Sequence, residues 1–281
     1  MSCLVSVIIP TKNSSEFLEK CLESLKNQTY KNIEIIVVDN NSVDSTKEIA
    51  EAFKQSTLEL YKLYNFQLLN WGPERSAQVN FGVKNSNGEY VYKVDSDFIL
   101  DKEVIDQCVK KANEGFGAVV VHNSPDVRIS WIAHIRKFEV DMYKYDITHS
   151  SARFVRKEVY EKIGEFNEKI TAGEDYDFQN KLNRGGFKTG FIEAEALHLG
   201  EPTNFWKHMK KYYDYGKDFV KYKQENISES KKQLGFFRSV YFKNWKKFIY
   251  HPMLGSGFIM YNFFKFAFGG AGYLVNKIKK I

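Results

Sequence analysis

Residues 90–100 read YVYKVDSDFIL. A β-branched and aromatic run of the kind that makes a buried strand stops at Asp95 and Asp97, and apolar residues then resume. A single Asp at a strand end commonly caps its own turn. Two acids at i and i+2 ask for more. On an extended backbone alternate side chains point the same way, so both carboxylates are expected to face one cation. Hard oxygen ligands suit Mg2+ or Mn2+, which commonly also bridge substrate phosphates.

The flanking sequence shows which kind of sheet this strand belongs to. LVSVIIP (4–10) and NIEIIVVD (32–39) are continuous apolar runs, as in strands buried on both faces. SSEFLEKCLESLKNQ places Phe17, Leu18, Cys21, Leu22 and Leu25 at helical spacing, and NNSVDSTKEIAEAF is a polar turn followed by a helix. TLELYKLY (57–64) is expected to be a third strand. Pro73 and Gly88 bracket a helix over about 74–86. Strand and helix alternate at short intervals, which predicts an α/β fold: a mostly parallel central sheet with helices on both faces. Ligands of such sheets lie beyond the carboxyl ends of the strands. PTKN (10–13), DNNS (39–42) and DSD (95–97) all fall on that edge.

Charge divides the 281 residues in two. Residues 201–281 carry 16 Lys and Arg against 5 Asp and Glu, whereas residues 1–200 carry 25 against 30. The acidic first part is no general nucleic-acid binder; the basic, aromatic remainder suits an anionic surface, with a membrane foremost. Cys3, Cys21 and Cys108 are odd in number and widely spaced, and are expected to be reduced, incidental thiols. MSCLVSVIIPTKN has no basic lead-in and no small-residue cleavage site, so a signal peptide is not expected.

Four further features carry candidate chemistry. Asp39 ends a buried strand and either caps the next turn or bonds a nucleotide base or ribose. In GEDYDF (173–178) the acids complement a helix N-terminus, yet Glu174, Asp175 and Asp177 are more than a cap needs. A carboxylate held there could take a proton from an acceptor hydroxyl. His198 offers a neutral imidazole as a third metal ligand beside the two aspartates. Arg75, on a helix with Asn80, either sits on a solvated face or meets a base carbonyl or phosphate. His122, His134, His149, His208 and His251 read as structural or exposed.

Taken in order, VSVIIPTKN, IEIIVVDNNSVDST, GPERSAQVNFG, YVYKVDSD, ARFVRKEVYEKIGEFNE, GEDYDF and HLG resemble the inverting family 2 glycosyltransferases of GT-A fold, over about residues 4–200. The resemblance implies a nucleotide-sugar donor, with Pro10, Thr11 and Asn13 lining the base pocket, Asp39 bonding the base and Arg75 closing over it. It implies that Asp95 and Asp97, the latter above all, bind Mn2+ or Mg2+ on the diphosphate, with His198 as a further contact. Asp175, preceded by Glu174, stands where the family has its catalytic base. Arg153 and Arg156 are candidates for phosphate or acceptor contacts. The second loop lacks the commoner acid directly after Asp39, and the processive signature QxxRW is absent, so single-sugar addition is expected.

The expected organisation is a nucleotide-sugar-binding half (1–100), an acceptor-binding and catalytic half of the same domain (101–200) and a helical extension (201–281). FIYHPMLGSGFIMYNFFKFAFGGAGYLVNKIKKI, with Lys243, Lys246 and Lys247 upstream and Lys277, Lys279 and Lys280 near its end, is short of a clean span because Lys265 interrupts it. It reads as an interfacial segment, residues 240–281, on the cytoplasmic face of a membrane. Packing on the catalytic domain or in a homo-oligomer is the competing reading. A membrane would present a lipid-linked glycan as acceptor. A sugar-phosphate nucleotidyltransferase needs a Gly-rich loop where PTKNSSEF has no glycine. A catalytically inactive partner of another transferase would not need Asp95, Asp97 and Asp175.

Overall fold

The computed structural model describes residues 2–60 and 65–278, with residues 57–60 as backbone only. The chain begins with β1 (Val5–Thr11), α1 (Leu18–Lys26), β2 (Ile33–Asp39), α2 (Thr46–Leu60), β3 (Asn65–Asn70), α3 (Arg75–Lys84), β4 (Tyr90–Lys93), β5 (Phe98–Leu100) and α4 (Val104–Asn113). It continues with β6 (Ala118–Pro125), α5 (Trp131–Val140), β7 (Phe154–Arg156), α6 (Lys157–Lys162), α7 (Glu174–Arg184) and β8 (Thr189–His198). The helical end comprises α8 (Phe205–Glu225), α9 (Ile227–Gln233), α10 (Ser239–Lys243), α11 (Trp245–Tyr250) and α12 (Pro252–Ile278).

The eight strands form one sheet in the order β3-β2-β1-β4-β7-β6-β8-β5. β3, β2, β1 and β4 run parallel, and so do β6 and β8. β7 and β5 pair antiparallel, which makes the second half of the sheet mixed. Every residue of β1 and β2 is buried, because both faces are covered. Val5, Val7 and Ile9 meet Leu18, Leu22 and Leu25 of α1 and Val104 and Cys108 of α4 on one face. Ile8 and Ile36 meet Val79 and Val83 of α3 and Phe178 and Leu182 of α7 on the other. The period-two alternation of the strands thus feeds two cores.

The third strand lies later than its expected place. Residues 57–60 continue α2, and the remainder of TLELYKLY falls outside the described residues. With no Gly or Pro to break it, TKEIAEAFKQSTLEL stays helical, and NFQLLN, an edge strand with one fully buried residue, takes the sheet position. The cysteines are free, with Cys21 and Cys108 buried.

A separate aromatic core joins the helical end to the rest. Ile132, Ile135 and Phe138 of α5 pack with Met209 of α8, Val240 of α10 and Phe258 and Tyr261 of α12. α8 and α12 cross at Gly216, where an added Cβ would strike the Gly269 carbonyl, and at Gly272, where it would strike that of Tyr213. Lys265 turns inward, pairing with Glu139 of α5 at 2.8 Å. Among the described residues no helix is long and apolar enough to cross a membrane.

Candidate active site

β4 delivers the chain to the carboxyl edge, and the turn after it departs from the extended geometry expected of DSD. The Phe98 amide bonds the Asp95 carbonyl at 3.1 Å, so the two aspartates diverge. Asp95 Oδ2 accepts from Arg153 Nη1 at 2.5 Å. Asp97 Oδ2 lies 3.1 Å from His198 Nε2. The alternation rule fails because residues 96 and 97 form a turn, not a strand.

Across the cleft, α7 begins at Gly173 in the left-handed region, φ 87°. A side chain there would also press on Phe219 and Tyr222 of α8, so glycine suits both backbone and packing. The helix start projects Glu174 and Asp175 into the cleft. Asp175 Oδ1 accepts from Lys93 Nζ at 2.6 Å, and its Oδ2 lies 3.6 Å from Arg153 Nη2. Arg153 therefore stands between Asp95 and Asp175. Arg75, half exposed, lies 3.9 Å from Asp95 and 3.8 Å from Glu174.

These cations set the protonation of the acids. Burial opposes ionisation of Asp95, but Arg153, Arg75 and Lys93 outweigh it and hold the carboxyl well below the usual range. Burial opposes Asp175 as well, and Lys93 and Arg153 again prevail, so its pKa is lowered. Glu174 goes the other way, raised by burial and then by Asp175. The pair is split into an ionised member and one that protonates more readily.

His198 belongs to a chain of contacts. Its Nδ1 meets Glu201 Oε1 at 2.5 Å, and Glu201 in turn accepts from Arg136 Nε at 2.6 Å. Carboxylates only accept, so both ring nitrogens donate, Nδ1 to Glu201 and Nε2 to Asp97; burial opposes the charged ring, but these two bonds outweigh it and raise its pKa, and a metal at Nε2 would take the place of that proton. Gly200 lets the backbone pass close to Asp97, whose carboxylate would collide with a Cβ there. Asp95 Oδ1 is buried without a hydrogen-bond partner. An orphaned carboxylate oxygen, Asp97 and an oriented imidazole fit a divalent cation in chemistry. Among the described residues, however, no three such ligands stand gathered as a finished cluster. One cleft of about 1300 Å³ holds Arg75, Asp95, Asp97, Arg153, Glu174, Asp175 and His198 in its lining.

The residue range 6–164, more than half of the chain, matches the sequence profile of glycosyl transferase family 2. The chain belongs to that family. Its fold is the GT-A fold. It is 37% identical over 123 residues to glycosyltransferase GlyG of Streptococcus pneumoniae, a match covering 44% of this chain and 40% of the relative. It is 36% identical over 115 residues to the GalNAc(5)-diNAcBac-PP-undecaprenol beta-1,3-glucosyltransferase of Campylobacter jejuni, covering 41% of this chain and 36% of the relative. The matches thus span less than half the length of these relatives. In fold, it is similar to the mannosyltransferase PcManGT of Pyrobaculum calidifontis, solved with GDP-Man and Mn2+. The TM-score is 0.60 at 17% identity, over 98% of this chain and 75% of that one.

The other expected donor residues lie at the ends of β1 and β2, outside the cleft lining. Asp39 is almost wholly buried and its oxygens accept from Thr11 Oγ1 at 3.0 Å, Ser42 N at 2.8 Å and Ser42 Oγ at 2.5 Å. Asn13, at φ 51°, accepts from the Val43 amide at 3.0 Å. Pro10 and Thr11 are buried in β1. This group fastens the two loops together. Asn80 is structural: it joins α3 to the Phe166 backbone and the Tyr160 hydroxyl. Arg156 bonds the Ala112 carbonyl instead of reaching the cleft. Lys93, Glu201 and Arg136 went unnoticed in the sequence. The detectable signal was Lys93, a charge inside the buried run YVYK, which demands a partner.

Proposed function

We propose that this protein moves one sugar from a UDP- or GDP-linked donor to an acceptor hydroxyl with inversion. The observation that carries the reading is the Arg153 bridge, which puts Asp95 and Asp175 in one cleft. Asp175, kept ionised by Lys93 and Arg153, accepts the acceptor proton as the oxygen bonds the anomeric carbon. The bond from that carbon to the diphosphate breaks on the opposite face, and its electrons leave with the diphosphate. Lys93 and Arg153 also fix the carboxylate's direction, which general-base catalysis requires. Glu174 and Arg75 border the same reacting region.

Asp95, Asp97 and His198 are the residues that would hold Mn2+ or Mg2+. Such an ion supplies Lewis-acid neutralisation of the leaving diphosphate. Pro10, Thr11, Asn13 and Asp39 shape the base end of residues 1–100, and residues 101–200 form the acceptor half.

The helical end is read as the part that meets a membrane. Phe237, Phe242, Trp245, Ile249, Tyr250 and Met253 are exposed beside Lys243 and Lys246, the composition of an interfacial surface on anionic lipid. Peripheral attachment at the cytoplasmic face would bring the cleft to a lipid-linked glycan, the acceptor class in the printed name of the Campylobacter relative.

A thermal-shift screen of UDP-, GDP- and dTDP-sugars with and without Mn2+ tests the donor reading, since binding to the folded state alone raises its stability. A metal-dependent shift for one nucleotide class is expected. Absence of any shift, together with no donor hydrolysis, defeats the reading.

A further inference from the structure

Glu201 stands behind His198, and its side chain is 0% exposed. A carboxylate enclosed to that degree needs partners for both oxygens. Oε2 accepts from Arg136 Nε at 2.6 Å, and Oε1 accepts from His198 Nδ1 at 2.5 Å. An arginine facing a carboxylate frequently takes both oxygens in its fork. Here Nε takes one, Nη1 lies 3.4 Å from the Tyr212 hydroxyl, and the second carboxylate oxygen is reserved for the imidazole.

The loop HLGE (198–201) makes that reach possible. His198 ends β8 opposite Phe98 of β5, and the two rings meet with centroids 5.1 Å apart and 70° between planes. The Leu199 amide bonds the Asp97 carbonyl at 2.8 Å. At Gly200 a Cβ would collide with the Asp97 carboxylate and lie 3.1 Å from His198 Nε2. The chain therefore turns back without a side chain there, and Glu201 arrives at the ring three residues before it. Phe98 and Glu201 fix the imidazole, with Nε2 3.1 Å from Asp97 Oδ2.

We propose that Glu201, clamped by Arg136, is a positioning residue for the cation site: it holds the His198 proton on Nδ1 and the ring in place, so that Nε2 is presented beside Asp97 to a divalent ion. A carboxylate on the far ring nitrogen is the usual way in which a metal-ligating histidine is oriented. The consequence reaches beyond the sheet. Arg136 belongs to α5, whose Ile132, Ile135 and Phe138 pack with α8, α10 and α12, and Tyr212 belongs to α8. The cation site is thus braced from the helical end as well as from the strand edge. This inference rests on the metal-dependent form of the transfer reading and adds residues that act through His198.

The test is made on the full chain. UDP and GDP are titrated separately by calorimetry, once with Mn2+ and once with EDTA. Glu201→Gln keeps the size of the side chain but has one acceptor oxygen where Glu201 uses two. It is expected to weaken Mn2+-dependent binding of the responsive nucleotide by about 10–100-fold and to leave the value in EDTA unchanged. No loss with Mn2+, or an equal loss in EDTA, overturns the inference. Made on top of His198→Ala, the same substitution should cost nothing more, because it acts through that ring; a second loss of the same size overturns the inference. Electron spin-echo spectroscopy of the Mn2+-loaded wild type gives a reading that no variant's folding affects. Coupling of Mn2+ to a histidine nitrogen is expected, and its absence overturns the inference. A wild type that binds nucleotide equally with Mn2+ and with EDTA also overturns it and leaves the transfer reading standing. A wild type that binds no nucleotide and hydrolyses no donor defeats the transfer reading itself, so the two failures are distinguishable.

Discussion

The sheet half of the molecule and its helical end use buried charge in opposite ways. In the cleft, Asp95 and Asp175 share Arg153, and Asp95 Oδ1 has no hydrogen bond and only the Arg75 charge at 3.9 Å. At the α5–α12 junction, both Glu139 oxygens accept from Lys265 and one also accepts from Tyr143. Asp95 Oδ1 is thus left for a ligand to complete, whereas the oxygens of Glu139 are all taken and hold α5 to α12. That contrast teaches where to look for chemistry: incomplete satisfaction of buried polar groups is costly, so it persists where a ligand completes it.

The largest expected effect breaks the open network. Asp175→Asn should lower transfer by about 10²–10⁴-fold, the usual share of a placed base. Donor-induced thermal shifts should persist, because Lys93 and Arg153 remain. An Asn variant that still transfers at the wild-type rate would remove Asp175 from the chemistry.

Acid should separate the two regions. Glu139 is held down to about 2, since Lys265 and Arg238 outweigh the burial that opposes its ionisation. Its folded value lies below the unfolded one, so its contribution is intact above about pH 4.5 and is lost as pH falls toward 2, about 3 kcal/mol in all at 1.4 per unit. His208 of α8, bonded to the Tyr261 hydroxyl of α12, is pushed down to about 3, by burial first and then by Arg136. The unfolded chain therefore binds its proton first, and stability declines from about pH 6.5 downward. Hydrogen exchange followed from pH 7 to 5 should show α8 and α12 loosening before β1 and β2. Simultaneous loosening would refute the assignment.

The helix crossing sharpens the same contrast. Gly216→Ala forces a methyl group into the Gly269 backbone, and overpacking of this kind costs about 1–3 kcal/mol. Urea unfolding should report that loss, with the aromatic core of the helical end affected and donor binding spared. The smallest effect concerns the outer face. Trp245→Ser with Tyr250→Ser should reduce partition onto anionic vesicles by about tenfold, while changing stability by under about 0.5 kcal/mol, as surface substitutions do. Equal binding to neutral and anionic vesicles would count against the charge-assisted membrane contact.

Much of this was legible in residue order. β1, β2 and β4 follow from apolar runs, α1 and α3 from spacing and from Gly and Pro punctuation, and the start of α7 from its acids. TLELYKLY misled because a short stretch with apolar residues at 58, 60, 61, 63 and 64 suits a strand or the end of a helix, and periodicity alone does not arbitrate. DSD was found, but its geometry was not, since a turn cancels the pleat.

What the amino-acid sequence determined alone is the alternation that builds the sheet and the acids placed at its carboxyl edge, because periodicity and turn chemistry are local. Only tertiary structure decided which acids meet which cations. Arg153 reaches Asp95 across 58 positions of sequence, and Lys93 reaches Asp175 across 82. It also decided that Asp39 ties loops together and that Lys265 faces inward. Such pairings are set by how helices pack on the sheet, and side-chain partners at that separation leave no periodic trace in the chain.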